Sequence, residues 1–363
     1  MHHSSARAVI SSVLSGGGFG ERALALCSAA SLGDADPNAV RLRQAALARA
    51  GELPADPPGA YTGVILAAPI PSDEKGLCTQ LAPLVIEHPE DTGMQLACLS
   101  GLCDLWPHVT SEERPLLRAR FLAGLATRRM PPGSQLTSRQ LIAWQRDLPT
   151  AYSNASASVS SLRGMLVAPT ARDAHVVMAE HLGISADLPT LAWVLGALTV
   201  QMRIQLHDRN RHLLHILMGS MACEQLAAWT PPELLATLLA QLAHQLWWCR
   251  NQAGMAPVRT CLDSATRPLA EAVQSGDLTV AQRSARAACK QPAEFWETAW
   301  NLLDTRLAAN DPSWCEALEL VLAIAARTGT DAVSPDDAAA LGTLFADLAY
   351  REHATAPALA TPH

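Results

Sequence analysis

The feature that most constrains this chain is a recurring joint, in which a proline stands beside a helix-capping residue with an apolar helical stripe on either side. Pro107, Pro149, Pro189, Pro231, Pro268 and Pro312 follow one another at intervals of 37 to 44 residues. Thr110 with Glu113 and Thr230 with Glu233 have the capping-box spacing, in which hydroxyl and carboxylate satisfy each other's backbone donors. Pro231 directly follows Thr230, where a missing N–H costs nothing at a first helical turn. Asp311-Pro312 and Ser334-Pro335 repeat the pattern, and Leu148-Pro149-Thr150 and Leu188-Pro189-Thr190 place the cap after the proline.

Between the joints the apolar residues keep helical time. Leu214, Leu217, Met218 and Met221 share one face, as do Leu235, Leu238, Leu239, Leu242 and Leu246. Trp296, Trp300, Leu303 and Leu307 form a third stripe, and Leu318, Val321, Leu322 and Ala325 a fourth. No sustained two-residue alternation argues for a strand. The expected fold is therefore all-α, with antiparallel helix pairs stacked as an α-solenoid. A period of about 40 residues holding two helices is the spacing of HEAT or armadillo-type repeats. The stretch 1–75 carries Gly16 to Gly18, Pro54, Pro57, Pro58 and Pro69, and reads as an irregular N-terminal entry segment. Residues 76–352 form the expected repeat domain, and 353–363 a frayed tail.

Asp104-Leu105-Trp106-Pro107 resembles the Ser-Lys-Trp-Pro repeats of some bacterial type III secreted effectors, themselves similar to HEAT arrays, and Ala228-Trp229-Thr230-Pro231 is a second echo. That resemblance covers roughly residues 90 to 350. It implies an α-solenoid that binds proteins and a destination inside a host cell. The Ser-rich start (Ser4, Ser5, Ser11, Ser12, Ser15) is compatible with a non-classical secretion route.

Composition narrows the function classes. Hydrophobic residues make up 49% of the 363 and charged residues 17%, enough for a large core. Aromatics, at 4%, leave that core to Ala, Leu, Val and Met, which suit helix-on-helix packing. A net charge of −7 and the lack of a basic stripe argue against nucleic acid as a partner. The longest apolar stretch, Leu191 to Met202, is too short to span a bilayer, and no ordinary export signal is legible. The nine cysteines are scattered singly and read as reduced core thiols, which points to a cytoplasmic setting.

Three places carry candidate chemistry. Ser15-Gly16-Gly17-Gly18-Phe19-Gly20-Glu21 precedes a helix in the manner of a phosphate-cradling turn. Glu21 replaces the third glycine of the dinucleotide fingerprint and opposes a phosphate by its charge, so the segment reads as a hinge. Asp208, His212 and His215 stand at i, i+4 and i+7 on one helix face, where they could ligate iron or zinc, with His175, Glu180, His181 and His244 as further donors. The plainer reading places the two histidines at a helix–helix contact, hydrogen-bonded to backbone or to Asp208. The stretch from His212 to Pro232 also resembles the histidine-bearing helix of questin-oxidase-like oxygenases. That resemblance implies a helical, non-haem-iron-type enzyme acting on aromatic polyketides. Finally, Trp247-Trp248 ends a long apolar helix beside Cys249 and Arg250, where it could anchor a protein partner.

The leading expectation is a non-enzymatic helical-repeat scaffold that binds a protein partner and needs no cofactor. The alternative is a metal-dependent oxygenase using iron or zinc on the helix that bears Asp208, His212 and His215.

Overall fold

A computed structural model describes residues 1, 3–15, 19–32, 40, 43–48, 68–88, 91–125, 136–137, 139–140, 159–181, 188–206, 211–252, 267–308, 315–328 and 332–355. Every element among the described residues is helical, as the periodicity and the Ala/Leu-rich composition require. None of these helices is long and apolar enough to cross a membrane.

The chain divides into two units. The first comprises Met1–Met202 and Asn210–Ala256, the second Arg203–Arg209 and Pro257–His363. The stretch read as an irregular entry holds two helices of the first unit, α1 (His3–Ser15) and α2 (Glu21–Ser31). They precede α3 (Glu74–Glu87), α4 (Thr92–Leu105), a 3-10 turn (Trp106–His108) and α5 (Glu113–Leu125). Then come α6 (Val159–Leu166), α7 (Ala171–His181), α8 (Leu188–Leu206), α9 (Arg211–Leu226) and α10 (Pro232–Gln252).

At the centre of the first unit lies α4, buried at every residue except Asp104. Its sequence, TGMQLACLSGLCDL, mixes apolar with small residues and leaves no charged face to turn toward water. The chief partner of α4 is α9, and α2, α3, α5 and α10 also pack against it. Small residues permit the close crossing with α9. A Cβ added at Gly93 would overlap the His215 carbonyl, and one at Gly219 would stand 2.5 Å from the Gly93 Cα.

Of the expected joints, the one at Ser334 forms as read. At Thr110 the Glu113 N–H bonds the Thr110 carbonyl at 3.1 Å, and only the carboxylate half of the capping box forms. The Glu113 carboxylate accepts from the backbone N–H and the hydroxyl of Thr110, both at 3.0 Å. Arg7 forks onto the same carboxylate at 2.7 and 2.8 Å, and this ion pair, helped by Thr110, holds its pKa down at about 2. Trp106 is fully buried beneath the Arg114 guanidinium, 5.4 Å from its ring centre. At Ser334 the hydroxyl accepts from the Asp337 N–H at 3.0 Å and donates to its carboxylate at 2.7 Å. Thr230 departs from expectation: α10 starts at Pro232, and the buried Thr230 hydroxyl meets no hydrogen-bond partner among the described residues. Pro149, Pro312 and Gly16 to Gly18 lie outside the described residues.

The second unit contains α11 (Leu269–Gln274), α12 (Leu278–Ala288), α13 (Pro292–Ala308), α14 (Cys315–Thr328) and α15 (Pro335–Thr355). Its tightest pairing sets α12 on α15. Gly342 makes this possible, because a Cβ there would meet the Ala281 carbonyl and the Ala285 side chain at 2.8 Å. Asp277 caps α12 through the Thr279 and Val280 N–H groups, at 2.9 and 3.1 Å. The Trp296 indole donates to the Ala332 carbonyl at 3.2 Å.

Candidate functional site

A histidine–tryptophan belt runs through the first unit, assembled by α4, α7, α9 and α10. Its best-defined member is a pair that local sequence does not bring together. Asp91 stands at the joint before α4, and its carboxylate accepts a hydrogen bond from Nδ1–H of His215 on α9 at 2.9 Å. A carboxylate can only accept, so Nδ1 carries the proton and Nε2 of a neutral ring keeps its lone pair. His215 is 4% exposed, and its Nε2 meets no hydrogen-bond partner among the described residues.

Asp91 itself is held in the left-handed region at φ 58°, the one described non-glycine residue there. Such a conformation costs about 1 kcal/mol and persists only where surrounding contacts impose it. Asp91 also makes no side-chain cap to α4, although it occupies the capping position. The carboxylate is thus diverted from a local role to a partner 124 residues away. The next residue, Thr92, is fully buried and accepts from Nε2–H of Gln245 on α10 at 3.2 Å.

His212 lies one turn before His215, with ring centres 6.4 Å apart and nearly perpendicular planes. The Trp248 ring meets His212 edge-on at 6.4 Å. Its neighbour Trp247 is stacked on His244 at 5.7 Å and donates its indole N–H to the Ala168 carbonyl at 3.0 Å. Both tryptophans expected to anchor a partner are therefore half-buried and engaged with histidines of their own unit. His244 and His175 line a small cavity with Met165, Ala174, Met178 and Ala240, with room for about one water. Burial, with His244 nearby, lowers the His175 pKa to about 4, so this ring is neutral at ordinary pH.

Of the expected metal set, His212 and His215 are close neighbours, and Asp208 lies outside the described residues, as do the side chains of Glu180 and His181. Among the described residues no three His, Cys, Asp or Glu groups converge to hold a metal ion. Within the described set, Asp91 is engaged with His215. Sequence reasoning missed Asp91. The signal that could have pointed to it is an acidic residue heading a helix whose whole circumference is apolar or small.

Compared with protein families, with curated proteins and with solved structures, the chain matches none.

Proposed function

We propose that the first unit is a catalytic module in which His215 exchanges protons with a bound substrate through Nε2, with Asp91 fixing its tautomer and aim. The observation that carries this reading is the buried Asp91–His215 pair, whose outer nitrogen meets no hydrogen-bond partner among the described residues. Buried polar pairs are costly, and the left-handed backbone of Asp91 adds to that cost, so the arrangement is better understood as a working site than as packing. The likeness of the His212 to Pro232 stretch to the histidine-bearing helix of questin-oxidase-like oxygenases supplies the substrate class, phenolic aromatic polyketides. A neutral imidazole is a suitable acceptor for a phenolic proton.

The test is to incubate the protein in air with a panel of polyhydroxylated anthraquinones, following substrate loss by mass spectrometry and oxygen uptake. Turnover should fall about a hundredfold or more in His215→Gln, by the usual worth of a positioned acid–base group. Asp91→Asn should give a smaller loss. Turnover that survives His215→Gln unchanged, or a panel left untouched by the wild-type protein, sinks the reading.

A second reading, the protein-binding scaffold of stacked helix pairs, is favoured by one observation. Trp193 is 47% exposed on α8, between buried Ala192 and Val194. An exposed indole on an apolar helix is a common anchor for a protein partner. A photo-reactive residue in place of Trp193 should then give a discrete protein adduct in lysate. Labelling no different from that at exposed Gln274 counts against it.

A further inference from the structure

Cys78 on α3 and Cys103 near the end of α4 face each other with their sulfur atoms 3.3 Å apart. Both side chains are fully buried, and both are free thiols. A disulfide places its sulfurs at about 2.05 Å, so closure asks for little more than 1 Å of approach, within reach of side-chain torsions. We propose that Cys78 and Cys103 form a redox-active dithiol, which a hydroperoxide converts to an intramolecular disulfide.

The local chemistry couples the two sulfurs. The hydrogen bond between them, in which either can donate, holds the Cys78 thiol below its ordinary pKa against the effect of burial. The same hydrogen bond and burial push Cys103 up. With Cys78 written as the attacking sulfur, Cys103 is the resolving thiol, and exchanging the two roles gives the same product. The Cys78 sulfur attacks one peroxide oxygen, the O–O bond breaks, and the departing hydroxide takes up the thiol proton as water. Cys78 is left as a sulfenic acid. Cys103 then bonds to the Cys78 sulfur while its proton and the sulfenic hydroxyl leave as a second water. Two thiols lose two electrons, and one hydrogen peroxide becomes two waters.

Cys223 provides the internal contrast, for burial alone acts on it and raises its pKa. With both sulfurs closed to solvent, oxidation proceeds through local opening of the α3–α4 hairpin. The joint of that hairpin carries Asp91.

The test uses the full-length protein, treated with equimolar hydrogen peroxide, quenched with N-ethylmaleimide under denaturing conditions and mapped by mass spectrometry. The expected result is a loss of about 2 Da and a Cys78–Cys103 cross-linked peptide that dithiothreitol reverses. Cys223 remains fully alkylated. The oxidised protein should melt several degrees higher than the reduced one, because the bridge closes a chain loop. In Cys103→Ser, dimedone should label Cys78 and the melting shift should vanish. Full alkylation of Cys78 and Cys103 at a dose that oxidises Cys223, or a bridge joining a different pair, overturns the proposal.

Discussion

The two units bury polar side chains in different ways. In the second unit Thr343 bonds back to the Ala339 carbonyl, Ser334 with Asp337 caps α15, and Ser284 accepts from the Arg267 N–H 17 residues away. In the first unit Thr199 and Ser220 likewise bond back to carbonyls four residues earlier, but other buried polar groups span the fold. Asp91 reaches His215, Thr92 reaches Gln245, Ser100 reaches Gln225, and Gln241 clamps both backbone groups of Leu136, each across more than 100 residues. Every described buried histidine also belongs to the first unit. Local polar bonds finish helices, whereas long-range ones fix where helices cross and which ring faces which. Among the described residues, the long-range polar bonds therefore collect in the first unit.

Breaking the crossing in each unit gives the largest expected effect. Gly93→Ala should destabilise the first unit by about 3 kcal/mol or more, because the intruding methyl meets backbone that cannot swing aside. Gly342→Ala in the second unit should cost less, about 1–2 kcal/mol, since its added methyl meets the Ala281 carbonyl and Ala285 Cβ at 2.8 Å, a shallower overlap than at Gly93. Denaturant unfolding of the two variants checks the order, and equal costs would remove the distinction.

Acid should separate the units next. His175 binds its proton at about 4 when folded and near its ordinary 6.5 when unfolded. Below pH 6.5 the unfolded chain takes up the proton first, so stability is full above 6.5, falls as pH drops toward 4 and levels off below. The loss reaches about 3 kcal/mol. Asp104, raised to about 6 by burial, contributes an opposing slope, so the measure is the difference. In melting curves between pH 7 and 4 the wild type should lose more stability than His175→Gln. A similar slope in the variant would assign it elsewhere.

Asp91→Asn should cost about 1–2 kcal/mol by weakening the charge-assisted bond to His215, and Asp91→Gly should regain part of that by relieving the left-handed backbone. The smallest effect belongs to the second unit, where Ser334→Ala removes a cap worth about 1 kcal/mol. Calorimetry on these three variants ranks them, and an Asp91→Asn no worse than Ser334→Ala would undo the contrast between long-range and local bonds.

What the sequence made legible follows the same line. Thr110 with Glu113, Ser334 before Pro335 and the shared face of His212 and His215 all rest on spacings of three or four residues, which a helix converts directly into contact. Thr230 shows the limit of such spacings: it stands three residues before Glu233, yet α10 starts at Pro232 and no capping box forms there. Asp91 and the Cys78–Cys103 pair were hidden because they depend on which helices cross, and apolar periodicity specifies a face without naming the helix it meets. The N-terminal helices were obscured by the glycines and prolines around them. Yet the run from Ala23 to Ala30 has the composition of a buried helix, and Ala23 to Cys27 pack as one.

The most direct measurement is the tautomer of His215, read from long-range proton–nitrogen spectra of the ring-labelled protein at neutral pH. The account predicts a proton on Nδ1, bonded to Asp91, with Nε2 bare, and a loss of that preference in Asp91→Asn. A proton resting on Nε2, or a tautomer indifferent to Asp91, would contradict it.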